Sequence, residues 1–342
     1  MSKTRKKLIT IPRLIILALV LMLLLMGAWI GLRSLLVKGL ITGIEDMESQ
    51  GYEVSHGGLS VAGFPFSLNA STDKISVRAP TSDMPDPAKN WSITTDKLDL
   101  HSATLTPLSW DIRHTGKMRI DMRGPDGERY MFDLTPASIN ANAAVSLSGS
   151  LKSAQFDMGT ASLESLVGTP PIVSKIGDLN ADIKVSDNVG HIKVQAKDLR
   201  LSPKIPGILD SVLGRKIPLV EMNVDVDNWA LLEIEGAEAW MAAGGRMRTD
   251  HWAVNWGRAD IIGDFNIVFK DGIPEGKIGI RIKKPKPLLA KAVEAGLVPE
   301  NYLKTVNGLI SLSETDAEGR KSIDLTIKEG VVKMGFIPLF EL

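Results

Sequence analysis

Five histidines, His56, His101, His114, His191 and His251, are the side chains of this chain best suited to proton transfer or metal ligation. They are scattered, and no two stand at the spacing of a metal-ligand pair. His56 before Gly57-Gly58 and His251 before Trp252 adjoin turns, yet neither has a paired nucleophile in sequence. Ser is frequent, but there is no G-x-S-x-G elbow and no phosphate-cradling P-loop. Gly257, Gly263, Gly272, Gly276 and Gly279 fall among alternating segments, so they read as hairpin or bulge glycines rather than a dinucleotide fingerprint. Asp225 and Asp227 flank Val226 and share a strand face, where they could hold a calcium ion, act as a general acid or simply face water. Cysteine is absent, which removes thiolate nucleophiles, disulfides and Cys-based metal sites. No catalytic residue, cofactor site or metal site is expected, and the reading is of a non-enzyme. An envelope enzyme would require distant His, Asp and Ser residues to converge.

Contact chemistry is better represented. Of seven Trp, Trp29 stands at the outer end of a long apolar run, a position that suits an amphipathic ring at a membrane interface. Trp252 and Trp256 fall on one face of a strand if its register is unbroken; they either stack on a ligand or pack a core. Phe64-Pro65-Phe66 and the apolar end of the chain, with Phe336 and Phe340, can line a groove, touch a bilayer or close a core. These seven residues, Phe64, Pro65, Phe66, Trp252, Trp256, Phe336 and Phe340, are the candidate lipid or partner contacts.

The element that must position all of them is the run 14–32, nineteen residues without a charge between Arg13 and Arg33. At about 1.5 Å per residue, such a helix nearly matches the roughly 30 Å hydrocarbon core of a bilayer. Five Lys or Arg precede it, and Glu45, Asp46 and Glu48 follow soon after. That asymmetry places the N-terminus in the cytoplasm and the remainder across a bacterial inner membrane, in the periplasm. A cleaved signal peptide is the rival, disfavoured by the length of the run and by the poor cleavage sequence Met26-Gly27-Ala28. Gly27 and Gly31 form a small-xxx-small pair that would let two such helices approach as a homodimer. The expected organisation is a basic tail 1–13, an anchor 14–32, a juxtamembrane helix 33–50 and a β-rich body 51–342. Beyond the anchor region the chain has 33 basic and 40 acidic residues, a poor match for nucleic acid.

Through the body, apolar and polar residues alternate with period two, as in Met118-Arg119-Ile120-Asp121-Met122, which describes strands with one covered face. The small-residue stretch 138–158 keeps that period and reads as strands, whereas 162–167 reads as one helical turn. Helices are expected at 205–213, at 229–243 with Asn228 as cap, from Pro287, and from Pro299 towards Ile310. The second of these should bury Leu231, Ile234, Ala237 and Met241. Residues 203–218 form a weak boundary between two β-rich halves, with one continuous sheet equally compatible. The fold class is thus mainly β: a large curved antiparallel sheet with a few short covering helices, preceded by one transmembrane helix.

Several short segments, taken in order, resemble an uncharacterised bacterial envelope family, domain of unknown function 2125, seen mainly in alphaproteobacteria. They are Gly51-Tyr52-Glu53-Val54, Gly63-Phe64-Pro65-Phe66, Trp91, Gly244-Gly245, Trp256-Gly257, Gly272-Ile273-Pro274-Glu275-Gly276 and the stretch 329–339. The resemblance supplies no catalytic residues. It implies a more distant likeness to AsmA-like β-rich envelope proteins, some linked to outer-membrane assembly or lipid movement. The expected role is envelope maintenance by binding lipid or an envelope protein, with a purely structural or protein-interaction module as the alternative.

Overall fold

The computed structural model describes residues 11–80, 90–123, 127–168, 171–203, 207–300, 303–335 and 337–341. The expected anchor and juxtamembrane segments form one helix, α1 (Ile11–Ser49), closed by Gly51 at φ 89°. Positive φ costs glycine little, and a Cβ there would stand 3.2 Å from the Pro80 ring. α1 is long and apolar enough to cross a membrane, and none of its most apolar stretch is buried by the rest of the chain.

The strands that follow are β1 (Glu53–Ser55), β2 (Leu59–Ala62), β3 (Ser67–Arg78), β4 (Trp91–Ala103), β5 (Ser109–Arg123) and β6 (Arg129–Pro136). Next come β7 (Ile139–Val145), β8 (Leu151–Met158), β9 (Ala161–Val167), β10 (Val173–Ile176), β11 (Asp178–Ser186) and β12 (Val189–Leu201). The last part holds α2 (Gly207–Leu213), β13 (Lys216–Asp227), α3 (Trp229–Ala242), β14 (Arg246–Trp256), β15 (Ala259–Lys270) and β16 (Ile273–Lys283). It ends with α4 (Pro285–Glu294), α5 (Leu303–Leu312), β17 (Arg320–Lys328), β18 (Val331–Met334) and β19 (Ile337–Glu341).

All the strands belong to one antiparallel sheet. β1 and β2 lie end to end along β3, and β4 and β5 follow. β5 then serves two partners, β7 on its first half and β6 on its second. The split row continues through β8 and β9, then β11 and β10, and is reunited on β12. From β12 each strand pairs with the next, through to β19. β12 and β13, on either side of the segment between them, are neighbours in the sheet.

The stretch 162–167 is a strand, β9, and not the helical turn its sequence suggested. Leu134 faces Leu163 and Pro136 faces Ala161 across the β6–β9 pair. Burial alternates along Ala161-Ser162-Leu163-Glu164, so the period-two pattern decides over the local propensity. α3 also departs from expectation. Asn228 sits in the left-handed region and makes no side-chain cap; instead Asn188 Oδ1 accepts from Ala230 N–H at 2.8 Å. Gly236 (φ 85°, ψ 179°) breaks the helix, so residues on its two sides lose a common phase. Ile234 is therefore 77 % exposed, Ala237 is also exposed, and Trp240 is the buried residue. α4 begins at Pro285, two residues before the expected start, where a missing N–H is harmless.

The core is divided. Ile139, Met158 and Ala161 anchor one cluster with Met118, Leu134, Phe156, Ile176 and Leu179. Val224, Val226 and Trp240 anchor a second, where α3 lies on the sheet. α5 packs on β17, α4 on α5, and α2 on α4.

Candidate functional site

Cross-strand partners in an antiparallel sheet project to the same face, so register alone assigns the two faces. On one face Ala70 meets Leu100, Leu100 meets Ile112, and Ile112 meets Ala141. The row continues as Phe156, Ala181, Val194 and Met222. Beyond it come Trp252, Gly263 and Ile280, then Ile323. The neighbouring row, Ile183–Ile192–Val224, is also apolar. At about 4.8 Å per strand spacing, this continuous apolar path is roughly 50 Å long.

Its side chains are mostly half-buried rather than buried. Leu100, Ile112, Phe156, Val194, Trp252 and Ile280 all retain solvent access, and Met222 is 38 % exposed. The helices cover only parts of the face. Between α5 and β17 a cavity of about 140 Å³ remains, lined by Val306, Ile310, Ile323 and Met334 among others. The face offers contact to an extended apolar ligand, and the polar side chains on it, such as His114 and Ser102, are buried.

Trp252 and Trp256 lie on this apolar face, on either side of Val254, in an unbroken stretch of register. Trp256 Nε1 donates to Gly214 O at 2.7 Å, tying the sheet to the end of α2. Trp252 rests on Gly263, where any Cβ would collide with its ring. Gly190 receives Trp229 and Gly245 receives Trp240 in the same manner. The sequence reading missed these three Trp–Gly seats, because each pairs residues distant in the chain or on different elements.

Phe64, Pro65 and Phe66 form the connection between β2 and β3, with a cis Phe64–Pro65 peptide. Phe64 stacks edge-on against Trp29 of α1 at 5.6 Å, and Trp29 Nε1 donates to Ser67 O at 2.8 Å. Phe66 is 75 % exposed. Phe336 lies outside the described residues, and Phe340 is placed by its backbone, opposite Val332 in the β18–β19 pair. Phe64–Phe66, Trp252–Trp256 and Phe340 thus belong to three separate parts of the sheet. Gly27 and Gly31 are on an uncovered part of α1 and face open space.

The opposite sheet face is polar and internally bonded. Asn142 Nδ2 donates to Asp111 at 2.7 Å, Gln155 Nε2 to Asp182 at 3.0 Å, and Gln195 Nε2 to Glu221 at 3.0 Å. His251 Nε2 is 2.9 Å from Glu221, and these two hydrogen bonds, His251 first, hold the Glu221 carboxyl below its ordinary range. His191 lies between Asp225 (Nδ1, 2.7 Å) and Ser186 (Nε2, 3.2 Å), beside a polar hollow. The order of groups matches a hydrolase relay, but Asp225 also pairs with Arg248 at 3.5 Å, which divides its charge between two partners. Ser186 ends β11 at an exposed two-residue turn. Arg248 also bridges to Asp227, so one guanidinium is shared by the Asp225–Asp227 pair. Among the described residues no group of three or more His, Asp or Glu is arranged to hold a metal ion.

A family model described as "Uncharacterized protein conserved in bacteria (DUF2125)" matches residues 29–342. Searches of curated proteins and of solved structures gave no match. The chain belongs to the DUF2125 family.

Proposed function

We propose that this DUF2125 protein is a non-catalytic membrane-anchored protein that holds lipid acyl chains on the apolar face of its sheet, in maintenance of the bacterial envelope. The observation that carries this reading is the uninterrupted apolar path from β3 to β17, left half-exposed between the covering helices. Burying an acyl chain there stabilises it by about 0.8 kcal/mol per CH₂, with no charged constellation required. The length and apolarity of α1 and the basic residues before it support a single-pass inner-membrane protein with a cytoplasmic N-terminus and a periplasmic body. Gly27 and Gly31 leave α1 a close-approach face for a second copy.

The test is native mass spectrometry of the full-length protein extracted in several mild detergents, followed by identification of what it retains. Retained phospholipid or fatty acid is the expected result. A lipid-free protein in every detergent would sink acyl binding and leave a module that works by contact with other proteins. The edges of the sheet give that second reading its own footing: among the described residues β1 and β2 pair only with β3, and β19 only with β18. Such edges can accept a partner's strand.

A further inference from the structure

Three consecutive connections at one end of the sheet carry no Asp, Glu, Lys or Arg: residues 63–67, 103–109 and 145–151. Each carries a strongly exposed large apolar side chain, Phe66 at 75 %, Leu105 at 88 % and Leu147 at 95 %. Backbone bonds join them into one surface. Thr104 N–H donates to Phe66 O and Val145 N–H to Leu108 O, both at 2.9 Å. Single exposed leucines are ordinary on a water-facing surface. An uncharged row of three is not.

The row has a fixed relation to α1. Trp29 is bonded to Ser67 and stacked on Phe64, and it stands four residues before Arg33, the first charge after the apolar run. At about 1.5 Å per residue, Trp29 lies about 6 Å inside that charge along the helix axis. A connection bonded to Trp29 therefore reaches bilayer depth whenever α1 spans. Most polar atoms of these connections are met by one another, and the Leu151 N–H, at the inner end of the third, donates to the Glu233 carboxylate of α3 at 2.7 Å. Ser146 Oγ bonds Ser148 Oγ at 2.7 Å and accepts from Ser150 N–H at 3.1 Å, while Thr104 Oγ1 donates to Pro65 O at 2.9 Å.

We infer that the connections bearing Phe66, Leu105 and Leu147 are immersed in the bilayer leaflet at the C-terminal end of the α1 span, so that the apolar sheet face begins at the lipid surface. This deepens the acyl-binding reading by naming the place where the sheet meets lipid, and it rests on α1 crossing the membrane.

The chain has no cysteine, so Leu105→Cys, Leu147→Cys and, on the polar face, Lys277→Cys each supply a single labelling site. Each full-length variant is reconstituted in phosphatidylcholine–phosphatidylglycerol nanodiscs and labelled with nitrobenzoxadiazole, with spin-labelled acyl chains as quencher. Labels at 105 and 147 should emit further to the blue than the label at 277 and be quenched several-fold more strongly. The same unlabelled variants in sealed vesicles should be protected from a membrane-impermeant maleimide at 105 and 147 but modified at 277. Water-like emission and full modification at both tip positions would overturn the inference. Immersed tips with no lipid retained on the sheet would sink acyl binding alone. Exposed tips with lipid still retained would sink immersion alone.

Discussion

Asp133 is a buried carboxylate on an otherwise water-facing sheet surface, with its side chain 8 % exposed. Arg119 meets it with a two-pronged pair at 2.8 and 3.0 Å, and this bonding holds its pKa below the ordinary 3.8. Asp133→Asn should cost about 1–2 kcal/mol at neutral pH, a modest figure because half of Arg119 remains in water. Since the folded pKa is depressed, that stability is present above 3.8 and is lost as pH falls through the folded value. Variant and parent melting curves should therefore converge in acid. His114 shows the complementary effect on the apolar face, opposite Leu98 and Ile139. Burial lowers its pKa below 6.5, against the smaller pull of Asp96 and the Lys117 backbone. The unfolded chain then protonates first, and stability falls as pH drops below 6.5. His114→Leu should raise the melting temperature more at pH 5.5 than at pH 8, by about 1 kcal/mol in stability at the lower pH. Neither partnership was legible beforehand. The residue across each strand is set by register, which local alternation does not contain.

At the scale of elements, glycine decides where the tryptophans sit. Gly236 has φ 85° and ψ 179°, a region open essentially to glycine. Gly236→Ala should cost about 1–3 kcal/mol and change the fluorescence of Trp240, because the break is what brings Trp240 onto Val224 and Val226. Gly263 lies under Trp252 in the middle of β15, where a methyl would meet both the ring and the Gly279 carbonyl. Gly263→Ala should destabilise by about 1–3 kcal/mol, read by chemical denaturation in detergent. The helix at 229–242 was visible as an apolar segment between a possible cap and a Gly-Gly stop. Its buried side was not, since a frame counted through Gly236 assumes one phase where there are two. β9 was misread for a related reason: in a short run rich in Ser, Leu and Glu the strand is chosen by β6 and β10 on either side, which local sequence does not contain.

At the scale of the molecule, period two was readable along most of the body, and with it the mainly β class and the division into an apolar and a polar face. The long-range order was less legible. β5 is one strand with two partners, and its halves meet at Gly116, where the register against β4 shifts. The uniform apolar face makes one more expectation definite. Met222 lies near the middle of the path, between Val194 and Trp252, and is already 38 % exposed. Met222→Glu therefore removes little packing and should leave the melting temperature nearly unchanged, whereas a charge placed against an acyl chain opposes its burial. With a photoreactive fatty acid as probe, crosslinking to residues near 222 should fall about tenfold, equivalent to roughly 1.4 kcal/mol. If the sheet is a path followed from the membrane end, crosslinks beyond β13 should fall with it while those at β3–β5 persist. A uniform loss along the whole sheet would indicate one cooperative site, and unchanged crosslinking at 222 would mean that acyl chains do not run along this face.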